Sequence, residues 1–255
     1  MNLRYLFYSK YVDGNGELDE ATHKKILKAS FGKGAALEFT ANIFVLKTHY
    51  PGLLIGIGNA HFYKRRKGKN REEDVRKEEE AFKIGFSLDY TTGLPIIPGS
   101  SIKGAIRHGL QKYFEQGKLD DGGSEWYGKD VVFLDAMPIY NKRNGNESQQ
   151  LFEEEFITPH GEDPTAKPNP LKMLKVKPNV CYCFRFLKIR QDQLDLFKEV
   201  IKLLGMGAKT NVGYGIMVDS EVRGTDELFE LQIESTVEKS KKKEQNSGSV
   251  QGNTN

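Results

Sequence analysis

The order of elements along the chain predicts an α+β fold whose core follows the ferredoxin-like (RRM-like) βαββαβ pattern, with insertions and a charged loop. Three observations lead to it. Residues 102–114 and 191–204 each repeat apolar positions three and four apart, the spacing of an amphipathic helix. Runs rich in Val, Ile, Phe and Thr at 37–50, 131–140 and 180–190 read as strands, and a last strand at 214–222 closes the series. With an accessory strand at 151–159 set aside, the order strand, helix, strand, strand, helix, strand is the ferredoxin-like one.

Taken from the start, residues 1–36 are expected as an N-terminal extension packed on the core. Within them a helix is expected over 19–30, capped by Asp19 and turning Ile26 and Leu27 inward. DGNGELD at 13–19 has some features of a calcium loop. With Gly16 at the obligatory glycine, however, the first and twelfth ligand positions fall on Tyr11 and Thr22, so the stretch is a turn. LEFTANIFVLKTHY at 37–50 is a strand that Pro51 ends. PGLLIGIGN at 51–59 is a glycine-spaced apolar loop or short strand, and a candidate for a surface covered only on assembly. KRRKGKNREEDVRKEEE at 64–80 cannot bury a face and is an exposed insertion, basic in its first half and mostly acidic in its second.

The turn at 98–101 starts a helix that faces Ile102, Ala105, Ile106, Leu110 and Tyr113 inward. Prolines 159, 164, 168, 170 and 178 make 159–178 mainly an extended loop. The helix at 191–204 carries Leu194, Phe197, Val200, Ile201 and Leu204 on one face. One domain over 37–235 is expected, and the Lys, Ser, Gln, Asn and Gly of 236–255 predict a disordered tail.

Hydrophobic residues make up 38% of the 255, enough for one sizeable core or two small ones. Lys and Arg number 38 against 35 Asp and Glu, so the net charge of +3 identifies no nucleic-acid binder, and local clustering decides the matter. Cys181 and Cys183 share one face of a strand, poorly placed to bridge each other, and two thiols make no zinc site. They read as small core hydrophobes, and their scarcity suits a reducing compartment. The opening MNLRYLFYSKYVDG lacks the layout of a secretory leader, and no window reaches the roughly 18 apolar residues of a membrane span. A cytoplasmic protein without a membrane partner is expected.

Two segments carry binding chemistry. A helix N-terminus offers unpaired N–H groups to a phosphate. At Pro98-Gly99-Ser100-Ser101, either serine can cap the helix or donate to such a phosphate, and Lys103 and Arg107, four apart, put two charges along one line. The same residues also suit an ordinary capped surface helix. The second segment is GMGAKTNVGYG at 205–215. It is no P-loop: Ala208 and Leu203 stand where that motif needs glycine, and the loop runs from helix to strand rather than the reverse. Its glycines instead allow positive φ and close backbone approach, and successive N–H groups can form an anion-binding nest. Lys209, Thr210 and Asn211 add a charge and two polar groups, and Tyr214 adds a face for a base, a combination suited to single-stranded RNA. Among the histidines, His49 and His61 flank the apolar loop and His108 lies in the first core helix, none in a recognisable pairing with a second acid or base. Asp135, in FLDAMP, reads as a structural carboxylate bonded to nearby backbone.

PGSSIKGAIR, the strand FLDA and the late loop GMGAKTNVGYG together resemble the RAMP superfamily of CRISPR proteins. YPGLLIGIG at 50–58 with His61, and GAKTN at 207–211, narrow the resemblance to the sixth-numbered subunit family of the type III-B (Cmr) effector complex. It covers roughly residues 37–222, leaving out the charged insertion and the tail. The resemblance implies a ferredoxin-like fold with the glycine-rich loop against RNA. It implies a non-catalytic, RNA-binding subunit of an antiviral effector complex, placed toward the 3′ end of the CRISPR RNA. Its partners would be that guide, target RNA and other Cmr subunits, with no cofactor, metal or small-molecule substrate. In such complexes cleavage belongs to the repeated backbone subunits, so no catalytic residue is carried over. The candidate RNA-binding residues are Ser100, Ser101, Lys103, Arg107, Gly207, Lys209, Thr210, Asn211, Tyr214 and His61. The alternative is a RAMP endoribonuclease that processes CRISPR precursor RNA with His61 or His49 as acid or base.

Overall fold

A computed structural model of the chain describes residues 2–13, 17–33, 42–56, 60–63, 82–116, 130–140, 148–157, 171–221 and 229–232. In chain order the elements are α1 (Leu3–Lys10), α2 (Glu20–Leu27), β1 (Ser30–Lys33), β2 (Asn42–Thr48), β3 (Ala60–Tyr63), β4 (Phe82–Gly85), α3 (Gly99–Glu115), β5 (Val132–Phe133), β6 (Met137–Ile139), β7 (Ser148–Gln149), β8 (Phe152–Ile157), β9 (Leu171–Val176), β10 (Cys181–Leu187), α4 (Gln191–Leu204), β11 (Met217–Asp219) and β12 (Phe229–Gln232). The expectations for 37–41, for the charged stretch 64–80, for 159–170 and for the tail 236–255 lie outside the described residues.

The central pairing is β2 with β10, antiparallel from Lys47↔Cys181 to Asn42↔Phe186. β11 extends the sheet beyond β2, while β5 and β6 both pair with the other edge of β10, every pair antiparallel. The order is therefore β11–β2–β10–β5, with β6 also on β10. Counted along the chain, these core strands lie fourth, first, third and second, with α3 between the first and second and α4 between the third and fourth. Strand alternation then sorts the side chains. Phe44, Leu46, Tyr182, Phe184 and Phe186 join Ile102, Ile106 and Leu110 of α3 and Leu194, Phe197, Val200 and Ile201 of α4 in one buried cluster. Each such side chain contributes about 1.5–3 kcal/mol by leaving water. Val45, Ile139, Cys181 and Cys183 form a small cluster on the opposite face. Both thiols are buried, and neither is in a disulfide. Burial pushes Cys183 up to about 11 against the opposing charge of Arg185, so it stays a protonated core residue.

α4 keeps the bounds that its periodicity predicts. α2 is capped by Asp19, which accepts from the Thr22 N–H at 2.6 Å, and Ile26 is buried as expected. α1 was not expected. It buries Leu3, Leu6 and Phe7, which share the main cluster with Tyr11, Phe86 and Phe152. The residues after α2 form β1, which pairs with both β12 and β7.

Four expectations are corrected. The strand over 131–140 is two pieces, β5 and β6, separated at Leu134–Asp135, where the Arg185 guanidinium binds the Asp135 carbonyl oxygen at 2.8 and 3.2 Å. The stretch expected as loop up to residue 178 contains β9, paired along its length with β8. The pair is held by cross-strand charges that proline density concealed: Lys175 lies 2.7 Å from Glu155 and 3.4 Å from Glu153. The closing strand is only Met217–Asp219, with Tyr214 in the preceding turn. Finally, the apolar loop after Pro51 is no exposed surface: Leu53, Leu54 and Ile55 are buried, and Leu53 exchanges two backbone hydrogen bonds with Val176 at 2.9 and 3.0 Å.

Two glycines of α3 separate packing from propensity. A Cβ on Gly104 meets only open space, whereas one on Gly109 would overlap the Val200 side chain of α4. Gly104→Ala is expected to stabilise the fold by about 0.5–1 kcal/mol through helix propensity. Gly109→Ala is expected to destabilise it by about 1–3 kcal/mol through overpacking. Urea denaturation of the two variants checks both signs.

Candidate nucleic-acid interface

The loop after α4 takes its shape from backbone bonds to its neighbours. Gly205 ends the helix, the Met206 N–H donates to the Gly215 carbonyl at 2.8 Å, and the Ala208 N–H donates to the Leu54 carbonyl at 2.7 Å. The Gly215 N–H donates to the Gly52 carbonyl at 2.8 Å, and the His49 N–H to the Ile216 carbonyl at 2.9 Å. Residues 205–216 therefore lie flat on residues 49–54, which are themselves bonded to β9. Approach this close requires glycine at two points. A Cβ on Gly207 would overlap the Leu54 carbonyl oxygen, and one on Gly215 the Met206 carbonyl oxygen; both residues have φ near +80° (85° and 72°).

At the tip Lys209 adopts the left-handed conformation (φ 59°, ψ 34°) and leads into a single 3-10 turn over Thr210–Val212. The Val212 and Tyr214 N–H groups both return to the Lys209 carbonyl, at 3.1 and 3.2 Å. The N–H groups of Lys209, Thr210 and Asn211 donate to no partner among the described residues. Three successive donors at a left-handed to right-handed step are the geometry of an anion nest. Lys209 and Asn211 are exposed there and Thr210 is half-buried.

Tyr214 stands differently from the expectation of a free stacking face. Its ring packs beside Leu54 and Met173. Burial, together with the Glu155 carboxylate that accepts its hydroxyl, pushes its pKa up to about 12. Burial also acts to raise Glu155, but hydrogen bonds from Lys175, from Tyr214 and from the Phe156 N–H outweigh it, and the carboxyl is held below its ordinary value. Lys175, Glu155 and Tyr214 thus fasten the loop to the β8–β9 hairpin. The sequence reading missed Glu155 and Lys175; the facing runs FEEEFI and LKMLKV were the available signal.

The other candidates occupy two further places. Ser100, Ser101, Lys103 and Arg107 lie exposed on the first turns of α3. The helix start is capped not by either serine but by Asp135, whose carboxylate accepts the Gly99 N–H at 2.8 Å, so the structural reading of Asp135 holds. That negative charge occupies the position a phosphate would take, leaving the α3 patch to its side chains. Lys103 Nζ lies 5.9 Å from the Phe133 ring centre. His61 is on β3, opposite Ile84 of β4, and its side chain is outside what is described. His108 is exposed on α3, and His49 follows β2 at the glycine-rich loop. Among the described residues, His23 of α2 is the histidine set between two acid–base partners: one ring nitrogen is 2.9 Å from the Tyr11 hydroxyl and the other 2.7 Å from Glu154. It is fully buried. No group of three or more His, Cys, Asp or Glu among the described residues is placed to hold a metal ion, and no helix among them is long and apolar enough to cross a membrane.

The sign of the Glu155 contribution follows from its lowered pKa: stabilisation is present above the ordinary glutamate value and is lost as pH falls through the folded one. Glu155→Gln is expected to cost about 1 kcal/mol at pH 7. The gap to the unaltered chain should close as pH drops below about 4.3, as read by urea midpoints across that range.

The chain is 31% identical over 149 residues to the CRISPR system CMR subunit Cmr6 of Saccharolobus solfataricus, covering 55% of this chain and 50% of that one. It thus spans about half the length of the curated relative it matches. Among solved structures it is similar to a chain in the cryo-EM structure of the type III-B Cmr-beta complex bound to cognate target RNA, with 24% identity, TM-score 0.48, and 90% of this chain and 72% of that one covered. It is also similar to the crystal structure of Cmr6 from Pyrococcus furiosus, with 20% identity, TM-score 0.37, and 72% and 100% covered. The family model of the RAMP superfamily matches residues 45–218, which run from within β2 through the glycine-rich loop into β11. With both core helices, the glycine-rich loop and part of each framing strand inside that match, the chain belongs to the RAMP superfamily.

Proposed function

We propose that the chain is a non-catalytic, RNA-binding subunit of a type III-B CRISPR effector complex. It acts in the cytoplasm beside other Cmr subunits and holds the CRISPR RNA, toward its 3′ end, on the glycine-rich loop. The core is a ferredoxin-like βαββαβ unit, a reading supported by the fourth-first-third-second strand order and by the two helices on one face. The observation that carries the functional reading is the nest at Lys209–Asn211: three N–H groups without partners among the described residues, beside the exposed Lys209 side chain, on a loop that backbone bonds hold in place. Such a site takes a phosphate without reading sequence, as a guide-binding subunit must. Arg107 and Lys103 on α3 supply a second place for the backbone of the RNA. The non-catalytic half is supported by the full burial of His23 and of its partner Tyr11, which keeps that ring out of reach of RNA. Similarity to a relative named as the CRISPR system CMR subunit Cmr6 supports the place in such a complex.

Binding of the full chain to a CRISPR-repeat-derived RNA at two salt concentrations tests the proposal. Lys209→Ala is expected to weaken binding alike on unrelated sequences and to lower the salt slope by about one. Arg107→Ala should act in the same direction. Site-specific cleavage of that RNA without added metal, lost in His61→Ala, would overturn the reading in favour of a processing nuclease.

A further inference from the structure

We infer that Tyr50 is a stacking platform for one nucleobase of the RNA strand whose phosphate sits at Lys209–Asn211, an inference that rests on the RNA-binding reading above. A nest and a lysine hold only the backbone of a single strand; an unpaired base beside them needs an apolar face. Tyr50 is 74% exposed and lies in the turn that carries the loop. The turn is held on three sides: the Gly52 N–H bonds the His49 carbonyl at 2.8 Å, the His49 N–H bonds Ile216, and the Gly52 carbonyl accepts from Gly215. The Tyr50 backbone is thus fixed while its ring stands out.

Its surroundings agree. Val212 and Ile216, on the loop itself, are 67% and 37% exposed, an apolar margin beside the charged tip. Pro51 lies 3.9 Å from where a Cβ on Gly213 would be, so the turn and the loop meet with no side chain between them. Of the other exposed aromatic rings, Tyr90 has the Arg4 guanidinium 5.5 Å from its centre, Phe156 has Lys172 Nζ at 6.0 Å, and Tyr5 lies on α1 rather than on the loop or its turn. Tyr50 has no ring or cation against it among the described residues. An exposed aromatic on a rigid turn, beside unpaired donors and a lysine, complements one chemistry: a base stacked on the ring with its phosphate on the nest.

The test uses the full chain and single-stranded repeat-derived RNAs carrying one 2-aminopurine, moved position by position, whose fluorescence falls on stacking. Tyr50→Ala is expected to weaken binding about 5- to 100-fold, to leave the salt slope unchanged, and to abolish quenching at one position. Tyr50→Phe, which keeps the ring, should restore both affinity and quenching. Lys209→Ala is the control for the underlying reading. If Tyr50→Ala binds and quenches as the unaltered chain does while Lys209→Ala still weakens binding, the platform is wrong and the RNA-binding reading stands. The same holds if Tyr50→Ala impairs only association with other type III-B subunits, for then the ring is a protein contact. If neither substitution changes binding, or the unaltered chain binds no RNA, both readings fall together.

Discussion

Three segments that are distant in sequence meet here chiefly through main-chain hydrogen bonds. The loop after α4 lies on the turn after β2, and that turn lies on β9, each step bridged by backbone hydrogen bonds of 2.7–3.0 Å. A Cβ on Gly207 would overlap the Leu54 carbonyl oxygen of the turn, and one on Gly215 the Met206 carbonyl oxygen of the loop itself, so both positions need glycine. Everything proposed for the interface depends on that contact. It pulls the chain tight enough to turn Lys209 left-handed, which sets the donors of Lys209–Asn211 side by side. It fixes the turn that displays Tyr50. It also explains why PGLLIGIG is apolar: the residues after Gly52 are the floor beneath the loop, buried from above by it and paired from the side by Val176.

A surface made mostly of main-chain donors needs few charged side chains, which reconciles a net charge of only +3 with the proposed RNA-facing role. Much of the basic complement is already committed elsewhere. Lys198 and Lys202 share Asp219 at 2.7 and 2.8 Å, Lys172 meets Glu20 and Glu154, and Lys175 meets Glu153 and Glu155. Lys209 and Arg107 have no carboxylate partner among the described residues. A sum over the chain could not show that Lys209 and Arg107 stand exposed on the glycine-rich loop and on α3.

Local chemistry was legible in the sequence, and long-range pairing was not. α4 announces itself through five apolar residues at helical spacing, and its bounds fall where that spacing begins and ends. Asp19 and Ile26 follow from a cap and a period read within one turn. Asp135 as a backbone-binding carboxylate was readable from its place on a strand, although its partner, the Gly99 N–H across 36 residues, was not. The glycines after α4 declared an unusual backbone path but not what lay beneath it. β1 and β12 are separated by about two hundred residues and have no alternation of their own to mark them. β9 was hidden because prolines dominate its approach, and only the charge match with β8 exposes it.

That hairpin also explains why an N-terminal segment outside the βαββαβ order belongs to the same body. Adjacent residues of a strand point to opposite faces, and β8 uses both. Glu154 reaches His23 of α2, itself held by Tyr11, and shares Lys172 with Glu20. Glu155, its neighbour, reaches Lys175 and the Tyr214 hydroxyl. One face of β8 is clamped by the first two helices and the other by the glycine-rich loop. His23 and Tyr11 are fully buried, so breaking that clamp would strand polar groups out of reach of water, a cost of about 1–3 kcal/mol for each. The hairpin is thus anchored on both faces, and Tyr214 is tied to it through Glu155. The stiffness that the nest needs to present its donors without reorganising comes from β8, and through it from helices that touch no part of the loop's own strand order.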